Sequence, residues 1–287
     1  MNIIAIHIFP HEINEYDRII KSLERNVSRL SNLIDVEIRT CLNLNPSLLN
    51  ETYLAQFDYI ISFFKKINNS SFLNIKEHIT KSVNYFGVND HRRYIIKKAN
   101  NTDNIFFLDC DLHFPDTTLY WHMKHIDKAR KQAEYYIITP QCVRLWDKTW
   151  DCLVSDTYIK KPIGFYKNVD LAEIDNAIPS NVLLKKNNSF KWAGGWFNCI
   201  SANLLKLTGI PINFIGYGPD DTFVMRCCAY LKEKNIDVQQ YILSELVVCE
   251  DKSLDDTPKL FKDTLPNFRK NSTYYLSEEL AKFYQKL

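Results

Sequence analysis

Residues 104–111 read Asn104-Ile105-Phe106-Phe107-Leu108-Asp109-Cys110-Asp111, and this stretch decides the fold. Four consecutive apolar side chains between turn-forming polar residues are too short for a helix and describe a strand buried on both faces. Such strands belong to sheets covered by helices on either side. In an open sheet of that kind ligands bind beyond the carboxyl ends of the strands, and that is where Asp109 and Asp111 stand. Two carboxylates at i and i+2 across a turn can reach one hard divalent cation. Mn2+ or Mg2+ takes such oxygens and keeps positions open for substrate phosphates. The bare Asp-x-Asp pattern also occurs in ordinary solvated turns. The buried strand before it marks these acids as functional, because neighbouring carboxylates repel unless a cation or an arginine lies between them.

Outward from this strand, short apolar runs alternate with longer amphipathic ones. Upstream, strands are expected over residues 3–9, 36–41 and 59–64. Ile19, Ile20, Leu23, Val27 and Leu30 recur at helical spacing within 16–33, and a second helix is expected over 91–99. Downstream the pattern gives a helix over 116–133, a strand over 135–139, loops through 160–188 and a helix over 220–234. A strand over 241–249 and a C-terminal helix over 277–287 complete the reading. Alternating βα units imply an α/β fold with a mixed, mainly parallel central sheet flanked by helices. No linker divides the chain, so one domain is expected over 1–255 with a helical extension over 256–287.

Composition narrows the function classes. Across 287 residues, 36 Lys and Arg face 34 Asp and Glu for a net charge of +2, too little to favour nucleic acid or an anionic surface. Partners must therefore be recognised by a site. The eight cysteines form no C-x-x-C pair and read as free thiols of a reducing compartment, which points to the cytoplasm. The start of the chain, Met1 to Pro10, lacks a basic leader and reads as a first strand. No run reaches the length of a membrane span, which leaves only peripheral membrane contact open.

Glycine is scarce: there are 7, and five of them (Gly194, Gly195, Gly209, Gly216, Gly218) fall in one stretch. Paired glycines let a backbone approach a ligand closely, as in Lys191-Trp-Ala-Gly-Gly-Trp196. Trp192 and Trp196 offer flat faces for a sugar ring, although a buried turn with core tryptophans has the same composition. Gly216-Tyr-Gly-Pro-Asp-Asp221 builds a stiff loop ahead of a helix. Asp220 and Asp221 suit the positive end of that helix, and the loop can aim one carboxylate into a cleft as a general base.

Together these motifs resemble the GT-A fold glycosyltransferases that use a nucleotide-diphosphate sugar. Asp109-Cys110-Asp111 looks like the Asp-x-Asp metal motif of that family, Arg93 like an arginine that faces the nucleotide, and Gly194-Gly195 like the glycine pair of the donor loop. Gly216-Tyr-Gly-Pro-Asp-Asp221 is similar to the element carrying the catalytic base of inverting enzymes. The loop side places the base at Asp221; counting back from Arg226 places it at Asp220. Many relatives supply a late histidine to the metal, but no histidine follows His125 here, so Glu250 or Asp251 would substitute. Phe9, Pro10 and His11 at the end of the first strand would contact the nucleotide, and Trp196 and Tyr217 the acceptor. The resemblance thus implies a Rossmann-like GT-A sheet and metal-dependent, inverting transfer from a nucleotide sugar, in the first place a UDP-sugar, to a carbohydrate hydroxyl. A nucleotidyltransferase acting on sugar phosphates and a noncatalytic carbohydrate-binding protein are the alternatives. The first is disfavoured by Phe9-Pro-His-Glu-Ile13, which lacks the Gly-rich basic loop such enzymes place after the first strand.

Overall fold

The structure is a computed structural model that describes residues 1–30, 35–144, 170–190, 196–216, 219–250 and 265–287. Nine strands form one mixed sheet among the described residues: β1 (Asn2–Ile8), β2 (Val36–Asn43), β3 (Asn74–Thr80), β4 (Asn104–Leu108), β5 (Leu112–His113), β6 (Tyr135–Arg144), β7 (Leu184–Asn187), β8 (Trp196–Ser201) and β9 (Val238–Glu250). Their order is β3-β2-β1-β4-β8-β6-β9-β5, with β7 paired to β9. Pairing is parallel through β3-β2-β1-β4. Beyond β4, β8 runs antiparallel to both its neighbours, and β6 and β9 are parallel. The mixed α/β class expected from the sequence is the one observed.

Side chains alternate across β1: Ile4, Ile6 and Ile8 join one apolar layer, and Ile3 and Ala5 the other. The first layer is covered by α1 (Ile13–Ser28), α3 (Phe57–Asn68) and α5 (Thr118–Gln132), through residues such as Ile20, Phe64 and Ile126. The second is covered by α4 (Val88–Lys98), α7 (Ala202–Thr208), α8 (Asp220–Glu233) and α9 (Leu265–Gln285), through Ile95, Leu205, Val224 and Phe283. Two short helices, α2 (Glu51–Leu54) and α6 (Leu171–Asp175), lie in connections. Both sheet faces are covered by helices, which is why β4 carries the unbroken apolar run Ile105 to Leu108.

Several elements differ from the sequence expectations. Residues 59–64 belong to α3, because Ile60, Phe64 and Ile67 bury one helical face; a short apolar run does not distinguish strand from helix by itself. Strand β3 escapes the pattern because it is the edge strand and exposes Asn74, Lys76, Glu77 and His78. The stretch 160–188, expected to be loop, carries α6 and β7 in its described part. The C-terminal helix also starts earlier than expected, at Leu265. No helix among the described residues is long and apolar enough to cross a membrane.

The chain leaves β1 through α1 toward β2, on one side, and returns through α4 to β4 on the other side of β1. The connections therefore diverge between β1 and β4. Such a switch point opens a crevice at the carboxyl ends of the two strands, where the candidate residues gather.

Candidate functional site

At the end of β1 the chain turns through a single 3-10 turn, Pro10–Glu12. Glu12 folds back so that its carboxylate accepts the Phe9 N–H at 2.7 Å. Burial, reinforced by the negative charges of Asp111 and Asp109, pushes Glu12 up to about 8 against the opposing pull of that hydrogen bond. Glu12 is thus a third acid at this edge, and its shift registers the field of the other two. Phe9 and Pro10 are buried and His11 is partly buried. The His11 ring stacks 6.0 Å from Phe9, and burial lowers it to about 4, keeping it neutral at physiological pH.

Strand β4 ends at Leu108, and β5 begins at Leu112, so Asp109-Cys110-Asp111 is a tight connection between two strands. The buried Cys110 thiol lies 3.7 Å from the His7 carbonyl, joining this turn to the end of β1. From α1, Arg18 donates to the carbonyls of Cys110 at 3.2 Å and Leu112 at 2.8 Å, on either side of Asp111. That grip fixes the backbone of the acidic turn. Glu250, the last residue of β9, lies in register with Leu112 and is 9% exposed.

The cation facing these acids comes from α4. Arg92 donates to Asp220 Oδ2 at 2.7 Å and to Asp109 Oδ1 at 3.3 Å, and its guanidinium lies 4.6 Å from the centre of the Phe107 ring. The Arg92 and Asp220 side chains are 7% and 6% exposed, against 39% for Asp109. Asp221, the next residue along α8, is only partly buried. Beyond Arg92 lie two buried histidines held neutral. Burial, with Arg92 a further cause, lowers His91 to about 3 and His7 well below its usual range.

Arg93 points elsewhere. It binds the carbonyls of Pro211 at 2.8 Å and Phe214 at 3.2 Å and pairs with Asp90 at 2.7 Å. Asp90 in turn accepts the N–H groups of Phe86 and Gly87 and caps α4. The start of α4 is therefore laced to the loop that leads into α8. A Cβ on Gly87 would lie 2.9 Å from the Gly216 Cα, and Gly216 has φ +66. Two glycines are needed where these backbones touch.

Thus the structure gathers Asp109, Asp111, Glu12, Asp220 and Arg92 at one edge, and Asp221 follows Asp220 there. Gly194, Gly195, Tyr217, Trp192 and Asp251 lie outside the described residues, as does the side chain of Trp196, whose backbone starts β8 opposite Leu108. Sequence reading missed Glu12, Arg18 and Arg92. A signal existed for Arg92, since Val88, Arg92 and Ile96 follow one another at four-residue steps along the buried face of α4, whereas Arg93 is one step round the helix.

No family model matches the sequence, and no curated protein matches it. Among solved structures, a GalNAc-T7 crystallised with UDP, GalNAc and Mn2+ is similar over 87% of this chain, with TM-score 0.47 and 10% identity. The chain spans only 43% of that protein's length. A mycobacterial protein is similar over 90% of this chain and 70% of its own, with TM-score 0.46 and 12% identity. A mannose-6-phosphate isomerase from Helicobacter pylori covers 85% and 86% respectively, with TM-score 0.36 and 14% identity. At these scores the residues of the site, not the neighbours, must carry any functional assignment.

Proposed function

We propose that this chain is a glycosyltransferase that moves a sugar from a nucleotide-diphosphate sugar to a carbohydrate hydroxyl, with inversion. One observation carries the reading. The Asp-x-Asp turn and the acid-bearing start of α8, more than a hundred residues apart, meet through Arg92 at the switch point of the sheet.

Among the described residues no three His, Cys, Asp or Glu side chains converge to enclose a metal ion. The donor set nonetheless suits Mn2+ or Mg2+, which bind through one or two carboxylates and take their remaining oxygens from water and phosphates. Asp111 and Asp109 would hold such an ion; Glu250, expected from the sequence as a further oxygen, is in register with Leu112 and does not complete a three-acid group with them. When bound, the cation neutralises charge on the departing diphosphate. Arg18 keeps the Asp111 backbone fixed while this charge builds up.

Asp221 acts as general base. Its neighbour Asp220 is buried and paired with Arg92, whereas Asp221 is only partly buried, so a substrate hydroxyl reaches Asp221 more readily. It removes the acceptor proton as the oxygen bonds to the anomeric carbon, and the bond to the diphosphate breaks with its electron pair leaving on the diphosphate oxygen. Phe9, Pro10 and His11 would border the nucleotide. Arg93, tied to the 211–214 carbonyls, supports the loop instead of the nucleotide.

The test is a panel of nucleotide sugars, UDP-sugars first. Each donor is incubated with the full chain and Mn2+ or Mg2+. Release of nucleotide diphosphate that stops with excess chelator is expected. Thermal stabilisation by donors with no release from any of them would replace the transferase with a noncatalytic binding protein.

A further inference from the structure

Arg92 is placed as a bracket between the two halves of the site. It reaches a partner 17 positions away at the end of β4 and another 128 positions away at the start of α8. Its stem is buried, its guanidinium rests on Phe107, and its helix is anchored to the 211–214 segment by Arg93 and by Asn89, which donates to the Phe214 carbonyl at 3.3 Å. A planar guanidinium can hold two carboxylates at fixed angles at once, whereas a lysine ammonium is a point charge on a flexible stem. Both ion pairs also consume the charge that would otherwise bind a phosphate.

From this geometry we infer that Arg92 is the positioning residue of the site: by sharing its charge between Asp220 and Asp109 it ties the cation-binding turn to the start of α8, so that each half senses the other. The inference rests on the proposed assignment of Asp109 and Asp111 to a divalent cation. Asp220 is the closer partner and holds most of the Arg92 charge. Neutralising Asp220 leaves that charge to Asp109, where it competes with an incoming cation. Asp220 thereby supports cation binding without touching the cation.

The test measures Mn2+ affinity of the full chain, without donor, from the electron paramagnetic resonance signal of free Mn2+. It compares wild type, Asp220→Asn, Arg92→Gln and the double variant, each checked for folding by circular dichroism. In the wild-type background Asp220→Asn is expected to weaken Mn2+ binding by about threefold or more; in the Arg92→Gln background the change is expected to stay below about 1.5-fold. A direct field effect of Asp220 on the ion would act alike in both backgrounds and cancel in the cycle. Equal ratios in the two backgrounds, or no Mn2+ binding by wild type, would overturn the inference. If Arg92→Gln does not fold, hydrogen exchange of wild type with and without Mn2+ decides. Slowed exchange over 219–224 supports the bracket, and a change confined to 105–113 refutes it. A wild type that binds Mn2+ and obeys the cycle yet releases no diphosphate from any donor would remove the transferase reading and leave this inference standing.

Discussion

Replacing Glu12 with Gln removes one titrating group from the acidic edge and keeps an oxygen to accept the Phe9 N–H. In the folded chain Glu12 titrates near 8 instead of its usual 4.5, first because it is buried and then because Asp111 and Asp109 lie close. A raised carboxyl pKa means that the folded state holds a proton the unfolded state has released. Its effect on stability is therefore nil below about pH 4.5, and stability is lost as pH rises from there toward 8. At about 1.4 kcal/mol per unit, the loss relative to a non-titrating residue is about 2 kcal/mol at pH 6 and about 4 kcal/mol at pH 8. Urea unfolding in chelator, at both pH values, compares wild type with variant so that titrations independent of Glu12 cancel. The stability advantage of Glu12→Gln should grow by about 2 kcal/mol between pH 6 and pH 8. An advantage that is the same at both values would mean that Glu12 does not carry a proton at this edge, and the buried setting assigned to it, with Asp111 and Asp109 close, would be wrong.

Two other outcomes follow from the geometry. Asp221→Asn should lower donor-to-acceptor transfer by about 10²- to 10⁴-fold, the usual weight of a general base, with an unchanged thermal midpoint; near-full activity in this variant, with loss in Asp220→Asn, would move the base to Asp220. Gly87→Ala places a methyl group 2.9 Å from the Gly216 Cα and should destabilise the chain by about 1–3 kcal/mol in urea unfolding, whereas a cost near zero would show that the two backbones part easily.

The sequence by itself determined the fold class and the acidic turn. Unbroken runs such as Ile105 to Leu108 must be buried on both sides, and amphipathic stretches such as α1 can satisfy that demand only by covering the sheet. It also marked Asp220 and Asp221, since a glycine-rich loop followed by acids at a helix start is a local pattern. Local pattern failed where burial depends on distant neighbours: α3 is a helix because its Ile60, Phe64 and Ile67 stripe lies over the sheet, and β3 is a strand because β2 pairs with it, despite its polar surface. The tertiary structure alone decided which arginine serves the site. Arg92 and Arg93 are adjacent and chemically identical, but a step of one residue along a helix turns the side chain by about 100°. Arg92 therefore meets Asp109 and Asp220, and Arg93 meets the carbonyls of Pro211 and Phe214. Those partners lie 17 to 128 positions away, and only the crossing of β1 by the chain brings them to one edge.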